Sequence, residues 1–311
     1  MNATPSRRAA LATLAGLAAL PLAGCGKDTT DAASPASSHA HQTPSPSASD
    51  TKATAQAFTA LERKYDARLG VYALDTGSGR SIAHRADERF AYCSTCKALL
   101  VGALLQKRSL KQLDRRVHYR RDAGAGYSPI TARHLADGMT LRELCDAAVR
   151  YSDNSAANLL FREIGGPRSL QTALAGIGDH VTRSDHYEDD LSDGVPGDPR
   201  DTSTPRAMAT DLRTFVLGDV LPTDKRDLLT DLLKRNTTGD ALIRAGVPDD
   251  WEVGDKTGNG GYGTRNDIAI LWPPKASPIS LAVMSHRDTK NAEHDDKLIA
   301  EAAKVVAGAL G

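Results

Sequence analysis

The chain has 311 residues, with 39 Lys and Arg against 39 Asp and Glu, so its formal net charge is zero. Bulk charge therefore cannot hold it on nucleic acid or on an acidic membrane. With 40% apolar and 25% charged residues, it has the composition of an ordinary globular protein, long enough for one large core or two small ones.

An apolar run from Ala9 to Ala23 follows Arg7 and Arg8. It is shorter than the roughly 20 residues a spanning helix needs and reads as an export signal. Its end, Leu22-Ala23-Gly24-Cys25, is similar to the lipobox of bacterial lipoproteins. That implies removal of residues 1–24 and a lipid anchor on Cys25. Ser6-Arg7-Arg8 followed by Leu11 resembles a twin-arginine signal, which implies export of a folded chain. Residues 26–56 contain no Val, Ile, Leu, Met or aromatic residue, so with Cys25 they read as a flexible tether, 25–56. His39 and His41 lie inside it and are read as solvated spacer.

Phe58, Leu61 and Tyr65 recur at helical spacing, which predicts an amphipathic helix closed by Gly70. Residues 70–75 read as a strand, Thr76-Gly77-Ser78-Gly79 as a turn and 81–85 as the returning strand of a hairpin. A helix is predicted from about Ser94. Residues 98–105, 141–149, 156–164 and 208–215 then follow helical periodicity. Toward the C-terminus, 251–255, 267–272 and 279–285 are β-rich, and 293–310 is helical again. The expected architecture is a two-lobed α/β fold: an antiparallel sheet flanked by the N- and C-terminal helices, plus an inserted all-α subdomain. The boundaries are an α/β lobe of residues 57–90 and 237–311 and a helical lobe of residues 91–236. A cleft between the lobes is the expected site.

Three short motifs carry chemistry. Ser94-Thr95-Cys96-Lys97 puts a hydroxyl and an amine on one face of a helix start, a nucleophile beside a base. Backbone N–H groups and the helix dipole there suit a developing oxyanion. Ser152-Asp153-Asn154 adds a hydroxyl and a carboxamide. Lys256-Thr257-Gly258 adds a cation and a hydroxyl on a late strand, where the glycine allows close substrate approach. Each is weak alone, but three in this order are hard to obtain by chance.

With these motifs the chain resembles the penicillin-recognising serine enzymes, and the class A β-lactamases in particular. The resemblance extends from Phe58 to Gly311. It includes Phe90-Ala91-Tyr92-Cys93-Ser94-Thr95, the stretch from Asp137 to Cys145, Lys256 through Asp267, and an Ω-shaped loop from Thr182 to Leu191 that ends near Asp201. D,D-peptidases share the short motifs but generally lack that acidic loop. The resemblance implies a β-lactam substrate, an acylated Ser94, and Lys97 as its base or proton relay. It gives Ser152 the proton for the departing nitrogen and Glu188 the activation of water. Whether Lys97, or Glu188 through a water, deprotonates Ser94 stays open.

The resemblance further implies that Asn154 holds the side-chain amide of the substrate. Lys256, Thr257 and Arg265 would receive its carboxylate, and the N–H groups of Ser94 and Asn259 would form the oxyanion hole. Tyr127 would wall the entrance and Asn158 would brace Glu188. No cofactor, metal or nucleic acid is implied, and the chain is taken as a monomer. The alternatives are a D,D-peptidase or slow-turnover penicillin-binding protein, and a non-catalytic surface lipoprotein.

The sequence departs from the family pattern at several positions. Ser192 stands where an Asn is usual, which points to slow deacylation, and Asp189 replaces a Pro. His186 replaces the Arg that pairs with Asp201, so the loop clasp is expected to depend on protonation. Asn259 replaces a smaller residue. Cys145 lacks a disulfide partner, because Val101 occupies the other position. Cys93-Ser94-Thr95-Cys96 lacks a thioredoxin-like setting, and Gly258-Asn259-Gly260-Gly261-Tyr262-Gly263 runs toward a strand instead of a helix, so neither redox nor dinucleotide chemistry is expected.

Overall fold

The computed structural model describes residues 48–121 and 125–311. The export signal, Cys25, His39 and His41 lie outside them. Helix α1 (Ala48–Tyr65) leads into β1 (Arg68–Asp75), β2 (Ser81–His84) and β3 (Phe90–Ala91). A 3₁₀ turn (Cys93–Thr95) opens α2 (Cys96–Lys107), followed by β4 (Arg116–Val117), β5 (Met139–Thr140), α3 (Leu141–Arg150), α4 (Asn154–Ile164) and α5 (Pro167–Ala175). Next come β6 (Thr202–Ser203), α6 (Pro205–Val216), α7 (Thr223–Lys234) and the short α8 (Ile243–Gly246). Then β7 (Glu252–Gly260), β8 (Thr264–Trp272), β9 (Ile279–His286) and α9 (Asp296–Leu310) complete the chain.

Most strands and the last helix shift by a few residues from expectation, and the first helix differs at both ends. The first helix begins at Ala48, inside the stretch assigned to the tether. Its upstream turns contain Ala, Lys and Gln, good helix formers, and a helix anchored at Phe58 and Leu61 extends at little further cost. Gly70 does not close that helix but lies within β1. Asp66 takes the left-handed conformation instead, with φ 46°, so the reversal comes four residues before the glycine.

The sheet is wholly antiparallel, in the order β2-β1-β9-β8-β7. Its period-2 alternation divides the core. Leu69, Val71, Leu281, Val283, Ala269 and Leu271 face α1 and α9, packing with Phe58, Leu298, Ile299 and Val306. Tyr72, Ala282, Met284, Ile268 and Ile270 face the helical block, with Met208, Leu212 and Phe215 of α6. All eight residues of β9 are buried, as a strand covered on both faces requires. Residues 96–105 of α2 are buried on every side, which makes it the central helix of the helical block. Gly102 allows this: a Cβ there would meet the Phe215 ring at 2.7 Å.

Beneath the entry to the Ω loop, Asp211 of α6 and Asp179 are both buried and close enough to interact. Asp179 also accepts the N–H groups of Val181 (2.7 Å) and Thr182 (3.1 Å). Burial, with Asp179 beside it, pushes the Asp211 carboxyl up to about 9. The folded protein therefore keeps a proton that the unfolded chain releases, and its stability falls as pH rises from about 4 toward 9. Asp211→Asn keeps the size of the side chain, removes the carboxyl beside Asp179 and does not titrate. Its unfolding free energy, measured by thermal or denaturant unfolding, is expected to match the parent near pH 4 and exceed it increasingly up to pH 9, by about 1–3 kcal/mol at pH 7.5.

Candidate active site

The 3₁₀ turn and the start of α2 place Ser94 and Lys97 one turn apart, and Lys97 Nζ donates to Ser94 Oγ at 2.8 Å. The turn is seated against β7. A Cβ on Gly258 would lie 2.9 Å from the Tyr92 carbonyl and 3.3 Å from the Thr95 nitrogen. The glycine expected to admit substrate thus admits the turn that bears Ser94. Asn266 Nδ2 of β8 fastens the same turn from beneath, donating to the carbonyls of Ala91 (2.8 Å) and Tyr92 (3.2 Å).

Between α3 and α4 the chain reverses at Ser152, with φ 56°. Asp153 caps α4 through Ala156 N (2.8 Å) and also accepts from Ile130 N and Thr131 N (2.9 Å each). One buried carboxylate thereby holds the helix start and the 127–131 segment together. Asn154 N donates to the Tyr127 carbonyl (2.8 Å). Tyr127 itself stands at the cleft rim, 60% exposed.

Lys97 is fully buried. Besides Ser94 it donates to the Ser152 carbonyl (2.8 Å) and Asn154 Oδ1 (2.6 Å), and it pairs with Glu188 Oε1 at 2.9 Å. Ser94 Oγ donates to the same Glu188 oxygen at 3.2 Å. The hydroxyl therefore has an amine and a carboxylate within reach at once. Lys256, also fully buried, donates to Ser152 Oγ at 3.1 Å and to the Thr257 carbonyl at 2.8 Å. Burial, and then the neighbouring Lys97, push the Lys256 ammonium down to about 7.

Glu188 is held through its backbone. Asn158 Oδ1 accepts the Glu188 N–H at 2.8 Å, and Asn158 Nδ2 donates to the Glu188 carbonyl at 2.9 Å. The Glu188–Asp189 peptide is cis. Ser192 Oγ donates to Glu188 Oε2 at 3.2 Å, so the shorter side chain still reaches the carboxylate. Behind the loop, His186 Nδ1 lies 2.6 Å from Asp201 Oδ2. Asp201 Oδ1 accepts from the N–H groups of Asp185 (2.9 Å) and His186 (3.0 Å) and from the Tyr92 hydroxyl (3.1 Å). The loop clasp is present with His in place of Arg, and two backbone donors share its work.

A cleft of about 410 Å³ brings most of these residues together. Ser94, Tyr127, Ser152, Asn154, Ser192, Thr257, Asn259 and Arg265 line it. Lys97, Lys256, Glu188 and Asn158 lie buried behind the lining. His186 and Asp201 sit apart, at the clasp. Arg265 is not wholly free for a ligand, because its Nε donates to Asp296 Oδ1 at 2.7 Å.

Two lining residues, Thr238 and Asp189, had no assigned place in the site. Thr238 Oγ1 lies 2.6 Å from Thr257 Oγ1 and donates to Asn236 Oδ1 at 2.9 Å, in a segment with no motif spacing to mark it. Asp189 was visible only as a replacement for proline. Another hollow, of about 390 Å³ beside residues 194–199, contains none of the three motifs.

Cys93, Cys96 and Cys145 are free and buried. Burial pushes all three thiols up, away from the reactive thiolate. Cys145 is unbridged.

Comparison with known proteins decides between enzyme classes that share such a cleft. Residues 53–310 match the β-lactamase enzyme family. The chain belongs to this family. A β-lactamase of Bacillus licheniformis is 55% identical over 289 residues, covering 93% of this chain and 91% of the relative. One from Amycolatopsis lactamdurans is 60% identical over 259 residues, covering 83% and 86%. The crystal structure of a class A β-lactamase from Clostridium kluyveri superposes with a TM-score of 0.81 at 51% identity, covering 82% of this chain and 97% of that one. The two-lobed architecture is therefore the serine β-lactamase fold, and the chain is a class A enzyme, a hydrolase acting on β-lactams.

Proposed function

We propose that the protein opens the β-lactam amide of penicillins and cephalosporins through an ester on Ser94, conferring resistance to these drugs. The observation that carries this is the convergence of Ser94 Oγ, Lys97 Nζ and Glu188 Oε1, each within 3.2 Å of the others, at the floor of an open cleft. Ser94 Oγ attacks the lactam carbonyl and its proton passes to the Lys97–Glu188 pair. The C–N bond breaks and the nitrogen takes a proton from Ser152, which Lys256 and Lys97 orient. Ser152 recovers through Lys97 the proton that the Lys97–Glu188 pair took from Ser94, so Glu188 is free to act as base again. Glu188 then takes a proton from water as it attacks the ester, and Ser94 leaves with its proton restored. The product is the ring-opened amino acid.

Backbone N–H groups of Ser94 and Asn259 hold the oxyanion. Asn154 receives the side-chain amide, while Thr257, Arg265 and the charge of Lys256 receive the carboxylate of the substrate. Tyr127 walls the entrance. Asn158, Ser192, His186 and Asp201 keep Glu188 in position. The chain is exported and held by a lipid on Cys25, and it acts as a monomer with no cofactor. This reading rests on the apolar run and Cys25 of the sequence.

Nitrocefin added to protein truncated at Cys25 tests the central claim. A slope that continues beyond one equivalent is the expected result. A burst that stops would mark a slow-turnover penicillin binder, and neither burst nor slope would mark a non-catalytic lipoprotein. The Lys256 shift adds a pH dependence. The free enzyme loses the Lys256 charge as pH rises through about 7, so kcat/KM for benzylpenicillin should fall on the alkaline side. In Lys256→Arg, that limb should move above pH 9, measured by initial rates across pH 6 to 9.5.

A further inference from the structure

The two walls of the cleft differ in charge. On the β7 and β8 side stand Arg265 and Thr257, with Lys256 behind them. On the opposite side, where the Ω loop meets the start of α4, Asp189 lines the cleft. Its carboxylate is pinned in place. Asp189 Oδ2 accepts the Gly126 N–H at 2.8 Å, and Asp189 Oδ1 accepts from the Asn154 amide. Both donors are neutral, so they orient the carboxylate without cancelling its charge. Gly126 permits this approach, since a Cβ there would lie 2.8 Å from Asp189 Oδ2.

Substrate chemistry gives this arrangement a consequence. In a penicillin, the ring carboxylate and the acylamino side chain project from opposite ends of the bicycle, with the lactam carbonyl between them. When the carbonyl sits over Ser94 and the carboxylate faces Arg265 and Thr257, the side chain points toward Asn154 and Asp189. The Asn154 amide has two N–H donors. One is given to Asp189, and the other serves the side-chain carbonyl. The atoms beyond that carbonyl then lie beside a fixed negative charge.

We propose that Asp189 is a specificity-determining residue that sets the side-chain charge preference of the enzyme, favouring β-lactams with a cationic side chain and disfavouring those with an acidic one. This rests on the Ser94 ester reading and names the substrate class within it. Asp189 does no bond-making; its effect is Coulombic, falls with distance and is screened by salt.

Three penicillins share a phenylacetyl side chain and differ on one carbon: benzylpenicillin carries hydrogen there, ampicillin an ammonium and carbenicillin a carboxylate. Their kcat/KM values are measured for the parent enzyme and Asp189→Asn, in about 20 mM and about 500 mM NaCl. The ampicillin to carbenicillin ratio is expected to fall about tenfold in the variant at low salt, with benzylpenicillin changed much less. In the parent, high salt should narrow the same ratio about threefold.

A ratio that is equal in parent and variant, or indifferent to salt in the parent, overturns the proposal. The salt series needs only the parent enzyme and decides the matter even where Asp189→Asn does not fold. Benzylpenicillin separates the two readings. Multiple turnovers without a charge effect defeat the Asp189 assignment alone, whereas no turnover of benzylpenicillin defeats the hydrolase reading and this inference with it.

Discussion

Glu188→Ala is expected to stop the reaction after its first half. Penicillin should still label Ser94 rapidly, because Lys97 remains 2.8 Å from its hydroxyl, but the ester should then persist, with hydrolysis slowed by about 10² to 10⁴. Glu188 is 4% exposed and tied to Asn158 by two backbone hydrogen bonds. Its carboxylate is therefore placed by the loop rather than by substrate. Mass spectrometry after mixing with a few equivalents of benzylpenicillin should show the chain heavier by one intact penicillin. Absence of an accumulated adduct would refute the assignment of the hydrolytic base.

Lys97→Ala should fail earlier and cost more. It removes the donor shared by Ser94, the Ser152 carbonyl and Asn154, together with the only partner of Glu188 that carries opposite charge among the described residues. Acylation should slow by roughly 10³ or more. A buried carboxylate left without its cation destabilises a fold by about 3–5 kcal/mol unless it takes up a proton, so the variant should be weakest at high pH. Combining it with Glu188→Gln removes the stranded charge. The double variant should therefore unfold at a higher temperature than Lys97→Ala alone, a coupling that a thermal-unfolding cycle measures directly. Additive losses would mean that the pair contributes no mutual stabilisation.

The β-rich runs of β1, β8 and β9 and the helical spacing from Ala98 to Ile164 were legible in the sequence, because short apolar runs bounded by turn residues and helical periodicity are local signals. Ser94, Lys97, Ser152 and Lys256 were legible for another reason: short motifs carry their own local geometry. The helix start at Ala48 was not, since a polar helical turn has no apolar signature. Nor was the role of Gly258, because its constraint comes from Tyr92 and Thr95 on a distant turn. Thr238 escaped for the same reason. Its place depends on Asn236 and Thr257 meeting across the fold, and no local pattern encodes that meeting.

Helix α4 carries Asn154 at its first residue and Asn158 one turn later, so it touches Lys97 at one point and the Glu188 backbone at the other. A single rigid rod is thus the common datum for ester formation and ester breakdown. Substitutions beneath it, at Leu160 or Phe161, are therefore expected to shift both half-reactions in concert, whereas a change at Ser192, whose hydroxyl donates to the Glu188 carboxylate, should act on ester breakdown.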